Sequence, residues 1–122
     1  MIEKNIQNAC LIAIGSRDDA LIFRQHSGAF RSMTDPKRII KVGVPGMADS
    51  LMIARVTITP DMVGKTVGVA AFPEFKTSRG RQSDAQRNFQ DACKRVSAVY
   101  RLVRSEPEIL ALLRDVQEGR WS

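Results

Sequence analysis

Glu74 and Lys76 stand two residues apart at the end of an apolar run, Ala70-Ala71-Phe72-Pro73-Glu74-Phe75-Lys76-Thr77. On a strand, residues i and i+2 project from one face, so a carboxylate and an ammonium become neighbours there. A charged pair at the end of a buried strand must either satisfy itself as an ion pair or do chemistry. The chemistry that suits it is metal-dependent phosphodiester cleavage. That reaction needs hard oxygen ligands for the metal, a positioned water and a charge that stabilises it. Glu74 and the backbone carbonyl of Phe75 are the candidate ligands. Lys76 is the candidate to orient or help deprotonate the water. An acid-x-lysine triplet is also common by chance, so the rest of the chain must supply a second carboxylate and a seat for the phosphate.

Two aspartates compete for the first role. A hairpin with strands over 50–59 and 66–77 is expected, because both stretches are rich in Val, Ile, Met and Thr and are joined by Thr59-Pro60-Asp61 and Gly64-Lys65. With its turn centred near residues 62 and 63, Asp49 lies opposite Lys76, and Leu51 opposite Glu74. Asp61 then sits beside the turn, roughly 33 Å down the ribbon at strand rise, and is read as a turn residue. Asp35-Pro36-Lys37 repeats the acid-x-lysine pattern, but in a polar loop, and is also read as a turn. Pro73 cannot donate to a ladder, so it predicts either a bulge or a position whose amide side faces away from pairing.

The charge distribution supplies the seat. From Lys76 to Arg104 there are eight basic residues against two acids, Asp84 and Asp91, a surplus equal to the net charge of +6 on all 122 residues. A basic excess confined to one segment predicts a polyanion-binding face. Arg79, Arg81 and Arg87 are the candidate phosphate contacts, giving salt-sensitive and largely sequence-independent affinity. A solvated helix face with incidental charge is the alternative.

The elements that must position these residues follow from periodicity and punctuation. A helix is expected over 2–15, a short strand over 20–24, a polar loop over 25–37 and an extended segment over 38–42. After the hairpin, Ser83-Asp84 caps a helix with Ala85, Phe89, Ala92, Cys93 and Val96 on its apolar side. A strand over 98–103 and a helix opened by Ser105-Glu106-Pro107-Glu108 complete the chain. The expected architecture is α/β, a mixed β-sheet core flanked by helices, in a single domain over 1–122. Cys10 and Cys93 are expected to be buried free thiols, and with one histidine they cannot build a structural zinc site. His26 has no serine-based motif beside it, and substrate contact is its most plausible direct role. No apolar run is long enough to cross a bilayer and the N-terminus lacks a signal-peptide layout, so a cytoplasmic protein with no membrane partner is expected.

The order and spacing of several segments resemble one family. These are Glu3 and Gln7 on the first helix, Phe23-Arg24-Gln25-His26-Ser27-Gly28, Gly43-Val44-Pro45-Gly46-Met47-Ala48-Asp49, Glu74-Phe75-Lys76-Thr77, then Gln82 and Gln86. Together they look like the VRR-NUC branch of the PD-(D/E)xK nucleases, in its small stand-alone phage and bacterial form, over most of the chain. Ala48 stands where many members carry proline. The resemblance implies a restriction-endonuclease-like fold, with Asp49 and Glu74 binding magnesium or manganese and Lys76 catalytic. It implies that Gln86 supports the site and that Glu3 is an additional acid. It also implies a homodimeric, structure-selective DNA endonuclease acting on branched substrates such as a four-way (Holliday) junction. Apolar positions on the first or last helix would supply the dimer surface. The competing expectations are a duplex or flap nuclease of repair or restriction type, and a non-catalytic nucleic-acid-binding module whose acids are structural.

Overall fold

The computed structural model describes residues 2–25, 28–35, 37–42 and 45–122, with backbone alone at 28–31 and 40–42. It is mixed α/β, with three helices and three two-stranded ladders among the described residues. The chain divides into two compact units, Met1–Ser16 with Ile22–Met52, and Arg17–Leu21 with Ile53–Ser122.

The first unit contains helix α1 (Glu3–Gly15) and the antiparallel pair β2 (Gly28–Arg31) and β3 (Ile39–Val42), with Gly28 opposite Val42 and Arg31 opposite Ile39. Strand β2 occupies part of the stretch expected to be loop, whose glycine and polar content hid a four-residue strand. The turn between the strands is built around Asp35, whose Oδ1 accepts from the Lys37 N–H at 3.1 Å. This is the local side-chain turn expected there. Helix α1 buries none of its residues, and Ile2, Ile6 and Ile12 are exposed. Cys10 is exposed as well, contrary to the burial expected of it. Helical spacing places apolar residues on one face, but it does not supply a surface to cover them.

Strands β1 (Ala20–Arg24) and β4 (Ser50–Ala54) pair with each other, and each runs from one unit into the other. The Gln25 N–H donates to the Asp49 carbonyl and the Arg55 N–H to the Asp19 carbonyl, both at 2.9 Å, which makes the pairing antiparallel. The hairpin expected between 50–59 and 66–77 does not form: β4 pairs with β1, and no residue of 66–77 pairs with it. Where the hairpin's turn was expected, Pro60–Met62 forms a short 3₁₀ helix, with Pro60 in its first turn. Val56, Ile58, Val63 and Val67 are all exposed, so their β-propensity is not matched by packing.

The second unit is organised on a parallel pair, β5 (Ala71–Phe75) and β6 (Val99–Val103), in register Ala71 to Val99 through Phe75 to Val103. Parallel neighbours need a long crossover, and helix α2 (Asp84–Arg95) provides it. Phe89 of α2 meets Phe72 edge-on at 5.1 Å and Tyr100 at 6.0 Å between ring centroids. That places α2 over the sheet face carrying Phe72, Glu74 and Tyr100. The opposite face, Ala71, Val99 and Val103, packs against Leu112, Ile109 and Val116 of helix α3 (Glu106–Gln117). Val99, Val103 and Leu112 are 2–3% exposed, and burying each contributes about 1.5–3 kcal/mol.

Candidate active site

The parallel register explains Pro73. The Val99 N–H donates to the Ala70 carbonyl and the Lys76 N–H to the Val103 carbonyl, both at 3.1 Å. Backbone groups of the even-numbered residues 70–76 therefore face β6, and those of Ala71, Pro73 and Phe75 face away. Pro73 lacks a donor where none is used by this ladder. No bulge is required, and the carbonyl of Phe75 is directed away from the ladder.

Glu74 and Lys76 share the face covered by α2. Lys76 Nζ lies 3.5 Å from Glu74 Oε1, with the two side chains 21% and 30% exposed. That separation exceeds the 2.7–2.9 Å typical of a tight charge-assisted bond, so the pair is loosely coupled. Gln86 reaches the same oxygen from α2, donating Nε2–H to Glu74 Oε1. Its orientation is set by the start of the helix. Ser83 Oγ accepts from the Gln86 N–H at 3.1 Å, and Gln86 Oε1 accepts from the Ser83 N–H at 2.9 Å. This reciprocal capping box holds the amide oxygen at the helix end and turns the amide NH2 onto the carboxylate. Gln82 is directed elsewhere, to Gln90 at 2.9 Å. A cavity of about 330 Å³ lies beside Glu74 and Gln86, walled by Phe72, Phe89 and Tyr100. The Tyr100 hydroxyl is buried without a protein partner.

The other candidate residues lie on other elements of the chain. Asp49 is exposed immediately before β4 and belongs to the first unit, whereas Glu74, Lys76 and Gln86 belong to the second. With the hairpin absent, strand register no longer carries Asp49 to Lys76 or removes Asp61 from contention. Asp61 is an exposed residue of the 3₁₀ helix, a turn position as expected. Glu3 is exposed in the first turn of α1, where a negative charge suits the helix dipole. His26, Ser27, Gly43 and Val44 lie outside the described residues.

The basic segment divides by partner. Arg79 and Arg81 are exposed in the loop after β5, and Arg87 is exposed but paired to Asp84 at 3.0 Å. Arg101 is bonded to Asp115 at 2.7 Å with both side chains about 30% exposed, which commits it to holding α3. Arg104, at the end of β6, donates through Nη1 to the carbonyls of Thr77 and Gly80. Sequence reading carried Arg104 only as one unit of positive charge, and Tyr100 not at all. Both are placed by the parallel register, which leaves no local sequence signal. The Ser83-x-x-Gln86 spacing, in contrast, is a readable capping signature.

The donor chemistry around Glu74 suits a hard cation at one carboxylate and one strand carbonyl. Among the described residues, however, no group of three His, Cys, Asp or Glu side chains stands at metal-binding spacing. No family model, curated protein or solved structure matches the chain. No helix is long and apolar enough to cross a membrane among the described residues.

Proposed function

We propose that this chain is a divalent-metal-dependent DNA endonuclease of the PD-(D/E)xK type, hydrolysing phosphodiester bonds in branched DNA such as a four-way junction. The observation that carries the proposal is the convergence of Glu74, Lys76 and Gln86 at the carboxyl end of a parallel strand, directly before a loop bearing Arg79 and Arg81. Open parallel sheets place their ligands at that end. Glu74 and the Phe75 carbonyl would hold magnesium or manganese, and the family resemblance alone adds Asp49 as a ligand and Glu3 as a further acid. Bound there, the metal would activate water and neutralise charge developing on the phosphate. Gln86 fixes Glu74 by holding Oε1, which leaves the second carboxylate oxygen for the metal. Lys76 would orient the attacking water or help deprotonate it beside the phosphate. Arg79, Arg81 and Arg87 bind neighbouring phosphates. A homodimer in the cytoplasm of a bacterial or phage-infected cell completes the proposal, with the exposed isoleucines of α1 as its surface.

A second reading is a nucleic-acid-binding module without catalysis. It is favoured by the lack of a three-acid group among the described residues. One assay separates the two, using labelled four-way junction, flap, linear duplex and single strand, each with magnesium, manganese or chelator. The nuclease reading expects metal-dependent cuts mapped to the junction. It also expects Glu74→Ala and Lys76→Ala to abolish cleavage while junction binding persists. Full activity of both variants would overturn it, and binding indifferent to chelator with no scission under either metal would establish the second reading. Cuts confined to flaps or duplex would keep the enzyme and change its substrate.

A further inference from the structure

The turn after β5 is held shut by the side chain of Arg104, the residue that follows β6. The Gly80 N–H donates to the Thr77 carbonyl at 3.1 Å, closing a turn over Thr77, Ser78, Arg79 and Gly80. Arg104 Nη1 donates to that same Thr77 carbonyl and, at 2.9 Å, to the carbonyl of Gly80. One guanidinium nitrogen thus joins both ends of the turn. The Arg104 backbone is itself fixed, because its N–H donates to Glu108 Oε2 on α3. The turn also closes tightly on Lys76. A Cβ at Gly80 would lie 3.3 Å from Lys76 Cβ and 3.3 Å from Thr77 Oγ1. Contacts that short are tighter than most, so a side chain there would press Lys76 and Thr77 aside by a few tenths of an ångström.

We infer that Arg104 is a positioning residue that staples the 77–80 turn, so that Arg79 is presented at a fixed place beside Lys76 as a preformed seat for a DNA phosphate. The reasoning is energetic. An exposed four-residue turn on its own leaves arginine free to sample many directions, and ordering it on binding costs affinity. Two bonds from a charged donor to the turn's carbonyls are stronger than neutral ones and place that cost in folding instead. The guanidinium has no carboxylate among these partners, so its charge also adds to the local positive field. The inference rests on the nuclease or nucleic-acid-binding reading of the loop, but the staple itself does not.

The test uses the full chain with Arg104→Ala, Arg104→Lys, Arg79→Ala and the Arg79/Arg104 double variant. Amide exchange at Gly80 reads the staple. Exchange is expected to be on the order of tenfold faster in Arg104→Ala and close to wild type in Arg104→Lys, whose ammonium can still serve both carbonyls. Binding of a labelled four-way junction in chelator reads its purpose. Arg79→Ala should weaken binding in the wild-type background, but change it by less than about twofold once Arg104 is alanine. Gly80→Ala crowds the turn while leaving the Arg104 side chain intact, and it should reduce the effect of Arg79→Ala in the same direction. It serves as the independent variant should Arg104→Ala not fold. Unchanged Gly80 exchange in folded Arg104→Ala, or additive losses in the double variant, overturns the inference. Wild-type protein that does not bind the junction overturns the functional reading, while Gly80 exchange still decides whether Arg104 closes the turn.

Discussion

Gln86 uses both ends of its amide, the oxygen on the Ser83 backbone and the nitrogen on Glu74. A helix cap and a catalytic candidate are therefore oriented by one side chain. Ser83→Ala removes the hydroxyl that accepts from the Gln86 N–H, and loss of such a cap costs about 1 kcal/mol. The expected outcome is a lower denaturant midpoint with an unchanged slope, together with reduced cleavage, since the amide loses part of the frame that aims it. Denaturation and junction cleavage, measured side by side, check it. At the other end of α2, Ser97 sits at φ 61°, a left-handed position one residue beyond the helix cap. The Ala98 N–H returns to the Cys93 carbonyl and the Ser97 N–H to the Lys94 carbonyl, completing the reciprocal closure that glycine normally makes. Ser97→Gly should raise stability by about 1 kcal/mol, read as a higher denaturant midpoint.

Helix α3 is tied down by ionic contacts as well as by Leu112. Arg101 and then Arg120 donate to Asp115 and hold its carboxyl below the ordinary aspartate range. A depressed carboxyl stabilises the fold fully above its unfolded pKa, and that stabilisation is lost as pH falls through the lowered folded value. Thermal melts of the wild type should therefore lose midpoint temperature below about pH 4, and Asp115→Asn should show a lower midpoint at neutral pH with a flatter acid limb. Elements of this kind were legible where the signal is local. The Ser83 and Ser105 caps and the acid-x-lysine strand end lie where spacing places them. Helical spacing puts Ile109, Leu110, Leu112, Leu113 and Val116 in one buried stripe of α3, but only Ile109, Leu112 and Val116 pack on the sheet, and Leu110 and Leu113 are exposed. Strand partners were not legible. Val, Ile and Thr in 50–59 and 66–77 mark extended chain equally well for a hairpin or for two separate ladders. Only tertiary packing selects β1 for β4 and β6 for β5. The candidate site divides in the same way. Glu74 and Lys76 follow from a local rule and Gln86 from the resemblance alone, whereas Asp49 was joined to them by a hairpin that does not form.

At the scale of the molecule, positive charge is not one undivided face. Arg101 is committed to Asp115, while Arg79 and Arg81 carry their charge into solvent. Arg79→Ala and Arg81→Ala should each reduce the salt slope of junction binding by about one unit. Arg101→Ala should lower stability and leave that slope nearly unchanged. Measuring affinity across a salt series, alongside thermal melts, separates the two kinds of arginine. Pro73 has a wider effect than accommodation within a ladder. Along the side of β5 that faces away from β6, Ala71, Pro73 and Phe75 offer carbonyls, but only Ala71 and Phe75 offer amides. That margin is rich in acceptors. It is poorly matched to an incoming strand, which needs an amide at the middle position, and well matched to an electron-poor guest. A single ring thus disfavours chain-to-chain stacking along β5 and gives the backbone beside Glu74 a preference for positive charge.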